Sequence, residues 1–363
     1  MTTPLDRAGG PQRPAGKHLR RTAALAVAVF ALGTALPAPA SAAPSGPRSA
    51  TAPAEVAVHD QAVGEADQKA VLDYWTPQRI AALNGKPSDN PPRSGPDGAP
   101  WTGGSALTRT VGRLFFTDHG EDSSCTATVV DSANGSTVVT AGHCVNNGNL
   151  LGEDNQWSTH MMFVPGYHDG AAPYGKFVGR LGVAAATWLQ NDAQHSEKFD
   201  GYDQAFVVLN RDARGGRLQD VVGAAQKIGF DEPGDGPVHQ FGYPRAASDP
   251  AREGLPEYTG ARLAYCTGQA REYPGTPDWP EPKGQWGTAC VMGGGSSGGP
   301  RIAGLDPKSG LGTVVGDNTT SGFFDSAGHV CADDTPGCVR HLVGPQFTSD
   351  VTGPLYARAQ RTS

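Results

Sequence analysis

From residue 105 to about 345 the chain is cut into short β-like runs separated by turn formers. Val111 to Phe116, Thr126 to Val130, Thr137 to Thr140, Met161 to Val164, Ala205 to Leu209, Ala261 to Tyr265 and Thr313 to Val315 are such runs, with Asp, Asn, Gly or Pro clusters between them. The 50 glycines and 30 prolines supply the interruptions, which leaves room for few long helices. No helical patterns of about 10 to 15 residues alternate with the runs, and this argues against a βαβ architecture with its parallel sheet. The expected class is all-β, a barrel or a sandwich, with a short helix at the C-terminus from Val351 to Gln360.

The segment ahead of residue 105 reads differently. Arg20 and Arg21 precede an apolar run from Ala23 to Leu36, and Ala40-Ser41-Ala42 follows, which is the order of a secretory signal with cleavage after Ala42. The apolar run is shorter than the roughly 20 residues that span a bilayer, so a membrane anchor is the weaker reading. An extracellular location without stable membrane association is expected.

Residues 43 to 58 are rich in Ala, Pro and Ser and are expected to be disordered. Helical spacing appears over 65 to 75, and Thr76-Pro77 opens a second helix that Asn84-Gly85 stops. Residues 85 to 104 have linker composition. The expected division is a signal over 1–42, a propeptide and linker over 43–104, and one folded domain over 105–363; an extension retained on the mature chain is the alternative to the propeptide.

The net charge of −7 includes a basic leader, so the remainder is more acidic still. A protein that holds a nucleic acid backbone needs a basic face, and none is indicated. Six cysteines beyond the leader suit an oxidising compartment. Sequence proximity suggests bridges Cys125 to Cys144, Cys266 to Cys290 and Cys331 to Cys338. A zinc site is the competing reading, but no C-x-x-C or H-E-x-x-H occurs, so three disulfides are favoured; no cofactor is expected, and structural calcium stays open.

Chemistry concentrates in Gly293-Gly294-Gly295-Ser296-Ser297-Gly298-Gly299-Pro300. Such glycine density admits backbone conformations closed to residues with a Cβ. It can turn amide groups towards a developing oxyanion and present the Ser297 hydroxyl at the same point. The Lys-Ser/Thr ending of a phosphate-binding loop is missing.

A serine hydroxyl needs a base. His143, in Thr140-Ala141-Gly142-His143-Cys144, directly follows a β-like run, and a Cys125 to Cys144 bridge would pin the backbone that carries it. That base needs a buried acceptor. Asp203 opens the apolar run Ala205 to Leu209 and is favoured over Asp200 and Asp192, which lie in polar stretches.

Together Thr140-Ala141-Gly142-His143-Cys144 and Ser296-Ser297-Gly298-Gly299-Pro300 resemble the histidine and nucleophile motifs of the chymotrypsin-like serine proteases, and the order His143, Asp203, Ser297 is that family's order. Gly242-Tyr243-Pro244 is similar to a segment of the bacterial glutamyl-endopeptidase branch. The resemblance covers about residues 105 to 345. It implies two antiparallel six-stranded β-barrels, a secreted monomeric endopeptidase acting on protein or peptide substrates, the triad His143, Asp203 and Ser297, and an oxyanion hole from the Gly295 and Ser297 amides.

The sequence also departs from the family. Ser296 stands where the family usually has Asp, so an activating ion pair with a newly cut N-terminus has no acid to use; removal of 43–104 would instead relieve blockage or assist folding. Val291 stands where trypsin-like members carry the acid that binds Lys or Arg, and Gly312 to Thr320 lacks the histidine of the glutamyl branch. Val291 and Asp317 are candidate substrate contacts, and the side-chain preference stays open. A binding module on an inactivated protease fold and a secreted serine esterase are the alternatives. Asn134-Gly135-Ser136 and Asn318-Thr319-Thr320 match glycosylation sequons and are assigned no role.

Overall fold

The computed structural model describes residues 53–362 except 92–94, 96, 149–154, 192–198, 277–278 and 333–334. The expected export signal over 1–42, the start of the segment after it, and Asp192 lie outside the described residues.

Seven antiparallel strands form the first sheet, in the order Val56–Asp60, Phe177–Ala185, Ala205–Leu209, Thr137–Thr140, Glu121–Val129, Val111–Asp118 and Thr159–Pro165. The last strand pairs back onto Phe177–Ala185 through Met162 with Val178 and Phe163 with Phe177, closing six strands into a barrel. Leu114, Val138, Phe163, Phe177, Val183 and Phe206 are all fully buried. Leu114, Val138, Phe163 and Phe206 come from runs that the sequence marks as strands, whereas the strand Phe177–Ala185 was not among those runs.

The second half is two sheets. One runs Lys227–Ile228, Leu311–Asp317, Pro300–Asp306, Pro237–Gly242, Ala264–Gln269 and Asp97–Pro100; the other runs Arg271–Thr276, Trp279–Ala289, Val339–Pro345 and Thr320–Phe324. All pairings are antiparallel except the two-residue strand Lys227–Ile228. The fold is thus the all-β two-barrel class, with the first barrel closed and the second opened into a half-barrel. The C-terminal helix spans Thr352–Ala359 and buries Leu355 and Ala359 against the first barrel.

Residues ahead of 105 depart from their expected character. Val56–Asp60 pairs along Phe177–Ala185, from Val56 opposite Ala185 to Asp60 opposite Leu181, where disorder was expected from composition. The two short helices form as the caps indicate, over Glu65–Tyr74 and Pro77–Ala82, with Thr76 Oγ1 accepting from the Arg79 amide. Trp75 is fully buried, its Nε1 donates to the His160 carbonyl at 2.6 Å, and Val71, Ile80 and Leu83 join the same core.

Arg113, also buried, donates to Asn84 Oδ1 at 2.7 Å and to the Gly260 carbonyl at 3.0 Å, tying this segment to both halves. Asp97–Pro100 pairs with Ala264–Gln269, so the stretch read as linker supplies an edge strand of the second half. The segment assigned to a removable propeptide therefore supplies an edge strand to one sheet of each half. The physical reason is that a few well-placed apolar side chains outweigh a polar average.

Candidate active site

Strand register brings the first two site residues together. Ala205 pairs with Thr140 across neighbouring strands. His143 lies three residues past Thr140 on the short helix Gly142–Val145, and Asp203 lies two residues before Ala205. Asp203 Oδ2 is 2.9 Å and Oδ1 3.2 Å from His143 Nδ1, and Oδ1 also accepts from the His143 backbone amide at 2.8 Å. The carboxylate is 4% exposed, so these bonds replace its water. Gly142 makes the approach fit: a Cβ there would sit 3.0 Å from Asp203 Oδ1 and 3.1 Å from the ring of Trp188.

The mount of His143 is tied down from behind. Cys144 bonds to Cys125, the other bridges being Cys266 to Cys290 and Cys331 to Cys338. Cys125, His143 and Cys144 cluster closely enough to hold an ion, but both sulfurs are already in the disulfide and offer no thiolate.

Ser297 sits on the glycine-rich loop, which two residues grip from opposite sides. From the first barrel, the Thr126 amide donates to the Ser297 carbonyl at 2.8 Å and Thr126 Oγ1 donates to the Gly295 carbonyl at 2.9 Å. From the second half, the Asn318 carbonyl accepts from the Gly298 amide at 2.8 Å, and the Asn318 amide donates to the Gly299 carbonyl at 2.9 Å. Asn318 Nδ2 adds bonds to the Phe241 and Ser296 carbonyls at 2.9 and 3.3 Å.

Gln240 holds Asn318 in turn, its Nε2 donating to Asn318 Oδ1 at 2.7 Å while its Oε1 accepts from the Thr288 amide and hydroxyl. Gly298 has φ +74°, and a Cβ there would come within 2.0 Å of Thr140 Oγ1, which explains the glycine directly after the serine.

His143 and Ser297 line one cavity, together with Gly293 to Gly295 and Thr319 to Ser321. No direct hydrogen bond joins the Ser297 hydroxyl to the ring among the described residues, a spacing ordinary for a site without substrate. With Nδ1 committed to Asp203, Nε2 is the nitrogen available to a partner. Neither the Gly295 nor the Ser297 amide donates a hydrogen bond among the described residues.

Ser296, in the position that departs from the family, is fully buried with its hydroxyl unpartnered, and a Cβ on Gly242 would lie 2.8 Å from the Ser296 Cβ. That close packing leaves little room for a longer acidic side chain.

Neither candidate substrate contact lines the cavity. Val291 is half-buried outside its wall. Asp317 is fully buried; burial and the nearby charge of Asp203 push its carboxyl well above the usual carboxylate range, against the opposing pull of Arg301. Sequence reasoning missed Thr126, Asn318 and Arg340, the last of which lines the cavity. Arg340 had a readable signal, a lone cation in the apolar strand Val339–Pro345. Asn318 was visible only as part of a sequon, and as a fully buried side chain it offers no amide to a glycan in the folded protein.

No protein-family model matches the chain, and no curated protein sequence does. Solved structures do. A thermostable serine protease from an extremophilic microorganism is 29% identical, with 71% of this chain and 100% of that one covered at a TM-score of 0.54. The protease Anisep from Arthrobacter nicotinovorans is 30% identical, with 72% of this chain and 99% of that one covered at a TM-score of 0.53.

Proposed function

We propose that this chain, which belongs to the chymotrypsin-like serine proteases, is a secreted endopeptidase in which Ser297 is the nucleophile, His143 the general base and Asp203 the group that orients that base. The observation that carries the reading is the buried Asp203 carboxylate bonded to His143 Nδ1 in the wall of the cavity that also holds Ser297.

The chemistry follows from that geometry. Nε2 takes the hydroxyl proton as Ser297 Oγ bonds to the substrate carbonyl carbon, and Asp203 stabilises the imidazolium that results. The Gly295 and Ser297 amides receive the oxyanion, where losing one donor typically costs about 2.7 to 4 kcal/mol. Collapse of the tetrahedral adduct breaks the C–N bond, and the imidazolium gives its proton to the leaving amine. Water then repeats the sequence on the acyl-enzyme, with His143 taking its proton, and releases the acid and the free serine.

Three disulfides support an oxidising destination, and no helix among the described residues is long and apolar enough to cross a membrane. None of the described residues between 53 and 104 lines the cavity, and Val56–Asp60 and Asp97–Pro100 are paired into one sheet of each half, which supports processing ahead of Pro53 with the rest retained.

Labelling by a fluorophosphonate, read beside digestion of a peptide library, tests the assignment. Labelled wild type, unlabelled Ser297→Ala and cleaved peptides support an endopeptidase. Labelling with ester but no peptide hydrolysis points to an esterase, and an unlabelled mature wild type to a binding module.

A further inference from the structure

One strand carries the mounts of both reacting groups. Within Glu121–Val129, Cys125 bonds to Cys144 beside His143, while Thr126 grips the Ser297 loop through its amide and its hydroxyl. Adjacent residues of a strand face opposite ways, so Ser124 and Thr126 look away from the disulfide. Ser123, Ser124 and Cys125 also line the cavity. The spacing of imidazole and hydroxyl thus depends on how this strand is held from its second face.

Arg113 holds that face. It lies opposite Thr126 on the neighbouring strand Val111–Asp118 and is fully buried. Its Nε donates to Ser124 Oγ at 3.0 Å, its Nη1 to Asn84 Oδ1 at 2.7 Å and to the Gly260 carbonyl at 3.0 Å, and its Nη2 to the Leu83 carbonyl at 3.4 Å. The guanidinium carbon is 4.9 Å from the ring centroid of Phe115 and 5.3 Å from that of Tyr167, which leaves the group little freedom to swing.

Burial lowers the pKa of Arg113 to about 10, with the nearby Arg245 cation adding to the effect, and the group stays charged at neutral pH. All four acceptors are uncharged, and a cation withdrawn from water depends on each of them. Two belong to the segment ahead of residue 105. A third belongs to the second half, where the Gly260 amide donates to the Pro244 carbonyl at 2.7 Å and the adjoining Tyr243 amide donates to Thr126 Oγ1 at 2.9 Å. The circuit therefore returns to the residue that grips Gly295.

Resting on the proteolytic reading, we propose that Arg113 is a positioning residue for catalysis and that Leu83 and Asn84 act through it, so that docking of the leading segment sets the spacing between His143 and Ser297. The segment is then an intramolecular activator as well as a piece of the fold. Taking Asn84 Oδ1 away leaves a guanidinium N–H unpaired in the interior; the group turns towards other acceptors, and its hold on Ser124 slackens. A shift of about 1 Å at that strand is enough to cost on the order of 100-fold in rate.

Two measurements on the mature secreted enzyme, each scaled to the folded fraction found by thermal melting, decide the matter: the rate of Ser297 labelling by a fluorophosphonate, and kcat and KM on one cleaved peptide. Asn84→Ala should lower the labelling rate and kcat together by roughly 10- to 100-fold while KM stays within about twofold. Asn84→Asp keeps an acceptor for Arg113 and should stay within about threefold of wild type in both rates. Ser124→Ala cuts the same connection at its other end, so adding Asn84→Ala to it should lower kcat much less than in the wild-type background.

A purely structural role would change the folded fraction and leave the rate of each folded molecule as it was, which overturns the proposal. Effects of the two substitutions that simply multiply overturn it as well. If Asn84→Ala does not fold, Ser124→Ala decides: a reduced labelling rate supports the proposal and an unchanged one overturns it. A wild type that takes no label overturns the protease reading and this inference with it, whereas a wild type labelled no faster than Asn84→Ala overturns this inference alone.

Discussion

Asp203 Oδ1 accepts from both the backbone amide and the ring Nδ1 of His143, at 2.8 and 3.2 Å, so one oxygen fixes the position and the orientation of the same residue. A rotation of the ring away from the cavity would break the ring bond without releasing the backbone one. The imidazole is held as part of its chain segment and not merely as a side chain.

Replacing the carboxylate tests that coupling. Asp203→Asn keeps an oxygen for the amide but favours the wrong ring tautomer, so kcat should fall by about 10⁴-fold while the melting temperature changes little. Steady-state kinetics beside thermal melts check both halves of the statement.

Asn318 is a positioning residue for Ser297. Asn318→Ala removes the bonds to the Phe241 and Ser296 carbonyls and takes one of its two acceptors from Gln240 Nε2, which keeps only the Leu342 carbonyl, each in the interior. Stability should fall by about 1–3 kcal/mol for the groups left unpaired. Because the loop that carries Ser297 and the Gly295 amide loosens, kcat should drop more than KM rises. A purely structural role would leave both constants of the surviving folded fraction unchanged.

Trp75 tests whether the segment before residue 105 is integral. Trp75→Ala should cost about 3–5 kcal/mol, the range for deleting a buried aromatic side chain, measured by chemical denaturation of the mature enzyme. A loss below about 1 kcal/mol would mean that the segment packs only loosely.

Asp317 makes stability depend on pH in a defined direction. A carboxyl whose folded pKa lies above its unfolded value binds more protons in the native state, so its contribution is full below the unfolded pKa, near 4, and declines as pH rises towards the folded pKa. Asp317→Asn, which stays neutral, should melt at a higher temperature than wild type at pH 8, with the gap narrowing as pH falls towards 4. A gap that widens on acidification would show that the Arg301 attraction prevails over burial.

The site was more legible in the sequence than its supports. Serine, histidine and aspartate announce themselves through chemistry that few residue types perform, and register arguments then place them: Thr140 against Ala205 puts His143 beside Asp203. Strand positions were readable where β-branched residues run between turn formers, as in Thr137–Thr140 and Ala205–Leu209.

Grips such as Thr126 to Gly295 were not readable, because each joins residues some 170 positions apart through a hydroxyl that any surface threonine also carries. The edge strands Val56–Asp60 and Asp97–Pro100 were obscured by flanking Pro, Ser and Gly. Pairing needs only a few residues in register with a neighbour already in place, and a compositional average over a longer window cannot see that.

Those two strands sit at the margins of different sheets, one along Phe177–Ala185 and the other along Ala264–Gln269. Loss of the whole segment would uncover two ladders of unsatisfied amides and carbonyls, and such ladders recruit strands from other molecules. The leading segment thus acts as a guard on solubility, since it covers a sheet margin in each half that would otherwise be open to pairing between molecules.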